Sequence, residues 1–381
     1  MKKSHQKEKP LMKITVRYAK IMHMRSKYIM GLISLGAMLL TVPSCGKVST
    51  MYYDAGLAYL ENRQFPEAEE NLRMSLDTEA KTKECYRLYG IACLSNGKYS
   101  EAADAFIEAL HTNNGSIREI DYDINYYLGL AYEKLESYAE AADVYSAIIA
   151  VRPSETDSYY RRAVCNLHLG KITEADADFL VVTGKNPSDI DRYLKIYFAM
   201  KDAGYKTEAE SYLKALLESD RKISDFDIGR IYYYLSDYSN ARVYLEKAKD
   251  FSNADTYLML GKTYEAIGDF NYAGSLYNDY LNAKGKNAAV FNQLGVCRTS
   301  AGDYQGALTA FSLGLDVDDP EWNKNLMFNE AVTYEYLLDF DTAYDKITEY
   351  LKKYPKDEAA LHELTFLETR RSGETAAPAE Q

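Results

Sequence analysis

One short pattern recurs along this 381-residue chain at a nearly constant interval. It first occurs as GKYSEAADAF at residues 97–106, and related stretches begin at Glu136, Gly170, Ser236, Gly268 and Gly302. The period can be measured from the residue that lies seven positions before each copy of the pattern. From Gly56 to Ala331, successive residues of this kind are 34, 39, 34, 34, 32, 32, 34 and 36 residues apart. Such a period predicts an array of stacked supersecondary units and argues against independent globular domains.

Each repeat reads as two amphipathic helices joined by a tight junction. Gly97 suits the left-handed end of one helix, and Ser100-Glu101 suits the start of the next. After the junction, Tyr99, Ala102 and Phe106 recur at helical spacing. A small residue one turn before a large ring lets two helices approach closely, so the pattern predicts the place where the helices touch.

These units resemble tetratricopeptide repeats, a family built from helix pairs of about 34 residues. The resemblance rests on one set of positions in the second unit, namely Tyr86, Tyr89, Gly90, Cys93, Gly97, Tyr99, Ala102, Phe106 and Ala109. The closing proline of the family is matched by Pro153, Pro187 and Pro355. Nine units fit between Ser49 and Lys356, with Tyr or Phe usually replacing the family's first-helix Trp.

The resemblance implies an all-α fold, a right-handed α-solenoid of nine helix pairs at residues 51–356. A capping helix is expected at 357–369 and a disordered tail at 370–381. The fifth repeat departs most from the family, because Tyr197 stands at a small-residue position and Lys206 at an aromatic one. We expect the Tyr197 ring either to widen the helix contact or to turn outward.

The N-terminal segment has the composition of a targeting signal. Residues 1–28 hold nine Lys or Arg and one acid, and the uncharged apolar run Ile29–Leu40 follows, five residues before Cys45. This resembles a bacterial lipoprotein signal, which implies a signal peptide at residues 1–44, a lipid on Cys45 and a short tether at 45–50. An uncleaved anchor and ordinary secretion are the alternatives, and Met22 or Met24 are candidate true starts.

Charge narrows the range of partners. The whole chain has a formal net charge of −12, and without residues 1–44 its 36 basic and 56 acidic residues give −20. Nucleic acid is therefore not an expected partner. The same acidity disfavours contact between the repeats and an anionic membrane, so the lipid is the expected membrane contact, on the extracytoplasmic face of a bacterial membrane.

Catalytic and metal-binding motifs are incomplete. His362-Glu363 opens an H-E-x-x-H motif, but Phe366 takes the place of the second histidine. Asp121, Asp123 and Asn125 have calcium-ligand spacing, but Tyr126 stands where that loop needs Gly. The remaining cysteines are expected to be small buried hydrophobes, namely Cys85, Cys93, Cys165 and Cys297. We predict no enzyme activity, metal or cofactor.

Binding is the function that remains. In tetratricopeptide-repeat proteins the first helices line a concave groove, and the resemblance places its ligand-facing positions at Tyr53, Leu57, Ile91, Tyr126, Leu130, Tyr160, Phe226, Arg230 and Tyr233. The first half of this set is aromatic and aliphatic, which suits an apolar helix or extended segment of a protein partner. The alternative is that these side chains only pack between repeats.

The resulting hypothesis is a membrane-tethered scaffold or assembly factor that binds a protein or peptide segment in its groove. A glycan-binding surface lipoprotein is the alternative function, because aromatic rings stack on sugars. It is disfavoured by the single tryptophan, Trp322, and by the absence of long insertions between repeats. A structural spacer is the third reading, and the oligomeric state is not predicted.

Overall fold

The computed structural model describes residues 45–78, 82–112, 117–219, 221–249 and 253–371. Within these ranges the chain is all-α, with nineteen helices and no strand. They form nine successive pairs followed by one single helix, which confirms the predicted fold class. The proposed signal peptide at 1–44 lies outside the described residues, and residues 45–50, expected as a tether, are helical.

The pairs alternate a first and a second helix. The first helices are α1 (Cys45–Glu61), α3 (Lys83–Ser95), α5 (Glu119–Lys134), α7 (Thr156–His168), α9 (Ile190–Asp202), α11 (Asp225–Tyr234), α13 (Ala254–Ala266), α15 (Ala288–Ser300) and α17 (Pro320–Tyr336). The second helices are α2 (Phe65–Asp77), α4 (Tyr99–His111), α6 (Tyr138–Val151), α8 (Ile172–Gly184), α10 (Lys206–Leu217), α12 (Tyr238–Lys247), α14 (Phe270–Lys284), α16 (Tyr304–Leu315) and α18 (Phe340–Lys353). The single helix is α19 (Glu358–Glu368), where the capping helix was expected.

The described residues divide into two compact units, with the boundary between Tyr212 and Leu213, inside α10. In the first unit each of α1 to α8 packs on the next, and first helices of neighbouring pairs also touch, as α1 does with α3 and α3 with α5. The second unit repeats this arrangement from α11 to α19. Each pair therefore buries its apolar face against its neighbours in the array.

A glycine in the first helix faces a large side chain sixteen residues later in the second. A Cβ atom added to Gly90 would lie 2.6 Å from Cε1 of Phe106, and one added to Gly261 would lie 2.3 Å from Cζ of Tyr277. Gly56 faces Leu72 in the same way. The small first-helix residue therefore allows the close approach of the two helices, beside the fully buried Ala102 of the predicted pattern.

The junctions between paired helices use left-handed backbone. Gly97 has φ +77°, as the sequence predicts. Ser100 is not the N-cap, because α4 begins at Tyr99 after Lys98, which makes no side-chain cap bond. In later repeats an aspartate is the N-cap of the second helix. The Asp269 carboxylate, for example, accepts a 3.0 Å hydrogen bond from the Tyr272 amide. These aspartate caps were missed in the sequence.

The fifth repeat buries its atypical residue. Tyr197 on α9 is only 2% exposed, so its ring does not turn outward, contrary to one of the two expectations. It meets the neighbouring Phe198 edge to face, with ring centroids 5.3 Å apart. The Lys206 side chain, by contrast, is 71% exposed, because a charged side chain has no place in the apolar contact between helices.

Candidate interaction surface

The predicted groove residues of the first unit lie at matched positions on successive first helices. Tyr53, Tyr126 and Tyr160 share one register, and Leu57, Ile91, Leu130 and Val164 share the position one turn later. All seven are partly buried, neither enclosed in the core nor fully exposed. Because these helices are stacked side by side, the second set forms an apolar strip across four repeats, which we call the first-unit strip.

The tyrosines of this surface also pack on the core. The Tyr126 ring meets Tyr145 edge to face at 6.1 Å, and the Tyr160 ring lies 6.1 Å from that of Phe179. Tyr53 and Leu57 pack against the buried cluster that contains Leu72. Packing therefore accounts for one side of each side chain, and the other side is accessible to a partner, so binding at these residues stays a prediction.

The strip continues onto α9 at Phe198, which lies 34 residues after Val164 and is 37% exposed. A cavity of about 350 Å³ separates α7 from α9 and is lined by Tyr160, Val164 and Phe198 among others. The Lys195 ammonium lies 4.1 Å from the centre of the Tyr160 ring, a cation–π contact. Burial raises the pKa of the Tyr160 phenol. Sequence reasoning missed Phe198 and Lys195, although their repeat register was visible.

A larger cavity, of about 560 Å³, opens at the start of α5 and α7. Four of its five charged side chains form ion pairs. Arg87 pairs with Asp123, and Arg152 pairs with Glu119 while its guanidinium carbon lies 3.6 Å from the centre of the Tyr122 ring. This cavity is therefore a cross-repeat ion-pair network whose charges are largely satisfied.

The residues with calcium-ligand spacing belong to the same region and serve packing. Asp121 forms a buried ion pair with Lys83, and Asn125 donates a 2.7 Å hydrogen bond to the Asp121 carbonyl. Asp123 is held by Arg87. In the described ranges no group of three His, Cys, Asp or Glu residues is arranged to hold a metal ion.

A glutamate near the end of certain first helices forms the same cluster in both units. Glu133 accepts a 2.6 Å hydrogen bond from the Tyr145 hydroxyl and pairs with Arg161 at 3.1 Å. Glu265 accepts a 2.6 Å bond from Tyr277 and bonds of 2.9 and 3.1 Å from Gln293. Both glutamates receive a tyrosine hydroxyl twelve residues later and a nitrogen donor twenty-eight residues later.

Burial governs the protonation of these groups. It raises the pKa of Glu265, which the bonds from Tyr277 and Gln293 lower only in part. It also raises the pKa of both tyrosine phenols far above the usual value. The hydrogen bonds and the ion pair of these clusters connect the two helices of a repeat with the first helix of the next.

The predicted groove residues of the second unit lie together on α11. The Arg230 guanidinium lies 5.3 Å from the Phe226 ring centre and 3.1 Å from the Asp227 carboxylate. The Tyr233 ring contacts Tyr234 and Tyr238 at 5.5 and 5.6 Å. The cation of this helix, Arg230, is thus already engaged by its own neighbours. An apolar strip like that of the first unit does not continue from α11, because Lys262 stands at the matched position of α13.

The four cysteines in the repeats are buried, as predicted. Burial raises the pKa of Cys93 to about 11 and the pKa values of Cys165 and Cys297 to about 12. They are thiols at neutral pH, which removes their nucleophilic form. The Cys45 side chain lies outside the described part of the structure.

The helices of the described residues do not include one with both the length and the apolar character that a membrane span requires.

Comparison with known proteins identifies the repeats. A tetratricopeptide-repeat model matches residues 53–117, 90–154 and 126–190, and a second tetratricopeptide-repeat model matches residues 226–253. Tetratricopeptide repeats are therefore present in both units, and proteins built from such repeats generally bind other proteins.

Individual relatives are distant. Residues of this chain are 26% identical over 133 positions to mouse (Mus musculus) Superkiller complex protein 3, a match that covers 35% of this chain but only 8% of that protein. Two solved structures resemble parts of the fold, each with a TM-score of 0.39. A tetratricopeptide repeat protein from Parabacteroides merdae is 15% identical and covers 76% of this chain and 100% of its own. MamA from Desulfovibrio magneticus is 18% identical and covers 46% and 96%, respectively.

Proposed function

We propose that this protein is a membrane-tethered extracytoplasmic scaffold or assembly factor that holds a segment of another protein in the groove of its first unit. The observation that carries the proposal is the first-unit strip and its extension to Phe198. Five side chains in matched register cross five first helices, and the four in the strip are only partly buried. A folded array alone gains nothing from keeping such a strip accessible, whereas a partner segment would bury it.

The chemistry of the strip favours an apolar segment. Leu57, Ile91, Leu130 and Val164 offer aliphatic contacts, and the tyrosine rings beside them supply the aromatic anchors that often dominate interface energies. Paired side chains such as Arg87 and Asp123 lie at its edge, where they would form a polar rim. An amphipathic helix or an extended apolar segment fits this arrangement.

The proposed tether rests on the sequence before the repeats. The basic residues, the apolar run Ile29–Leu40 and Cys45 follow one another in the order of a lipoprotein signal. A lipid on the residue that begins α1 would hold the array at a membrane surface, while the net charge of −20 after Cys45 would keep its body away from anionic headgroups.

Site-specific photo-crosslinking in cells tests the groove. We expect a photoreactive amino acid at Leu130 to capture a discrete partner, because this side chain lies in the strip. The matched control is Leu180 on α8, which is 66% exposed but on a second helix, and it should not capture the same protein. Equal capture from both positions would show that the groove is not the binding surface.

A substitution arm links the capture to the strip itself. Val164→Asp should abolish capture from position 130 without loss of helical signal, because Val164 is only partly buried and borders the cavity between α7 and α9. Capture that survives this charge would place the partner elsewhere.

A further inference from the structure

The last repeat carries another cavity, separate from the first-unit strip and from the two cavities described above. It has a volume of about 500 Å³ and lies between the end of α17, the turn into α18 and helix α19. We call it the terminal pocket, and it is lined by Val332, Glu335, Tyr336, Leu338, Phe340, Phe366 and Arg370. Most of this lining is apolar, with two phenylalanine rings.

Two apolar side chains at the terminal pocket are unusually accessible. Leu338 is 73% exposed and Tyr336 is 55% exposed. Leu338 also has φ +59°, at the junction position that Gly97 and Gly302 occupy in other repeats. A left-handed conformation costs a residue with a side chain about 1–2 kcal/mol. The other left-handed residues with side chains at this position are polar, namely Arg63, Glu136 and Ser236. Leu338 differs from them because it leaves an apolar side chain accessible to another molecule.

The carboxylate of Glu335 lacks the donors that its counterparts have. Glu133 and Glu265 each receive a tyrosine hydroxyl twelve residues later and an Arg or Gln donor twenty-eight residues later. For Glu335 the same positions hold Ile347 and Glu363. One of its carboxylate oxygens, Oε1, is buried and no described group donates to it.

Two carboxyl groups therefore face each other without a cation. No described Lys or Arg forms an ion pair with Glu335 or Glu363, although nearby Glu330 pairs with Lys346 at 3.0 Å and Asp357 with Lys324 at 2.7 Å. Burial, followed by the hydrogen bond and charge of Glu363, raises the pKa of Glu335 to about 8. The other charged group of the pocket, Arg370, lies over the Phe366 ring at 4.7 Å.

We infer that the terminal pocket binds a basic, apolar segment of a partner protein. An apolar side chain of the segment would lie against Leu338, Phe340 and Phe366. A neighbouring Lys or Arg would supply the cation that the Glu335–Glu363 pair lacks. Charge complementarity selects this occupant, because a cation would stabilise the ionised form of the Glu335–Glu363 pair, whereas an acidic segment would oppose it.

The protein's own C-terminal residues fit this description poorly. Residues 372–381, SGETAAPAEQ, contain two glutamates, no Lys or Arg and no large apolar side chain. They would neither fill the space between the rings nor neutralise the carboxylates.

Isothermal titration calorimetry with defined peptides tests the inference. The probe is a capped hexapeptide of alternating leucine and lysine, and the comparison peptide has glutamine in place of lysine. We expect the lysine peptide to bind the full chain at least about tenfold more tightly, since it adds a charge-assisted contact to a partly desolvated carboxylate. Glu335→Gln and Leu338→Ser should each remove at least that advantage.

The controls keep charge and exposure matched. Glu368→Gln removes one charge from α19, the helix that carries Glu363. Leu361→Ser removes an apolar side chain of that helix that is 44% exposed. Both should bind the lysine peptide like the unmodified chain. If Glu368→Gln weakens binding as much as Glu335→Gln, the attraction is only the general acidity of the protein and the inference is wrong.

Proton release supplies a second measurement. Bringing a cation to Glu335 should ionise it, so about half a proton should leave per peptide at pH 8, measured from binding heats in buffers of different ionisation enthalpy. Absence of release, or no binding at millimolar peptide, would overturn the inference. So would a gain of tenfold or more in peptide affinity on deletion of residues 372–381, or self-association that Leu338→Ser abolishes, because these would identify the tail or a second copy as the occupant.

Discussion

The contact between Gly261 and Tyr277 allows a quantitative test of how the repeats are held together. A Cβ atom at position 261 would lie 2.3 to 2.4 Å from three atoms of the Tyr277 side chain, whereas non-bonded carbons prefer about 3.5–4.0 Å. The ring cannot simply rotate away, because Tyr277 is fully buried and its hydroxyl donates to Glu265 at 2.6 Å. Gly261→Ala therefore forces the two helices apart or breaks that bond.

The expected loss combines two opposing contributions. Overpacking of a dense core costs about 1–3 kcal/mol, and replacing a mid-helix glycine by alanine returns up to about 1 kcal/mol. We expect Gly261→Ala to lower the free energy of unfolding by about 1–2 kcal/mol, measured by urea denaturation followed by circular dichroism. Gly274→Ala on α14 is the matched control, since its nearest neighbour would be Leu294 Cδ1 at 4.0 Å, and it should be neutral or stabilising.

A double-mutant cycle identifies the cause. Tyr277→Ala removes the ring atoms that an added methyl at position 261 would meet, whereas a leucine would not, because a Cβ at Gly56 or Gly229 would lie 2.5 Å from Cγ of its leucine partner. Gly261→Ala should then cost less in the Tyr277→Ala background than alone. An equal cost in both backgrounds would refute the proposed clash.

Three further predictions concern charged groups and the N-terminus. Lys83→Met or Asp121→Leu alone should destabilise the chain by about 3–5 kcal/mol in denaturation experiments, whereas the double variant should lose far less, because a single change leaves one buried charge unpaired. Because the pKa of Glu335 is raised in the folded state to about 8, the folded chain keeps a proton that the unfolded chain has lost. The free energy of unfolding should therefore fall as pH rises from about 5 to 8, and Glu335→Gln should flatten this dependence. Metabolic labelling with an alkyne fatty acid should mark the unmodified protein but not Cys45→Ala, and label that persists in the variant would rule out lipid on Cys45.

The repeat architecture was predictable because its signals are local or strictly periodic. The junction at Gly97 depends on backbone conformation within a few residues, and the helix pairs follow from apolar spacing. The contact of Gly90 with Phe106 spans sixteen residues, but the same interval joins Gly56 to Leu72 and Gly295 to Phe311. An interval that recurs in this way carries tertiary information that a single copy would not.

Features that depend on packing between pairs were harder to predict. Tyr197 was expected to widen its helix contact or to turn outward, and burial of the ring excludes the second outcome. A small-residue rule does not say how neighbouring helices adjust to such a ring. Tyr126 and Tyr160 could not be assigned from sequence to binding or packing, because each ring packs on the core by one side and leaves its other side accessible. Such dual placement is decided by the angle between helices, which the residue pattern does not encode.

The glutamates at matched first-helix positions show how one repeated position can change its role. Glu133 and Glu265 are neutralised or bonded by side chains of the next pair, and the array gains a connection between repeats. At Glu335 the helix that follows is α19, which supplies Glu363 at the position where a donor stands in the other two. Because each repeat completes its neighbour, a carboxylate that meets a second carboxyl group in place of a donor is left incomplete, and the binding inferred for the terminal pocket rests on this difference.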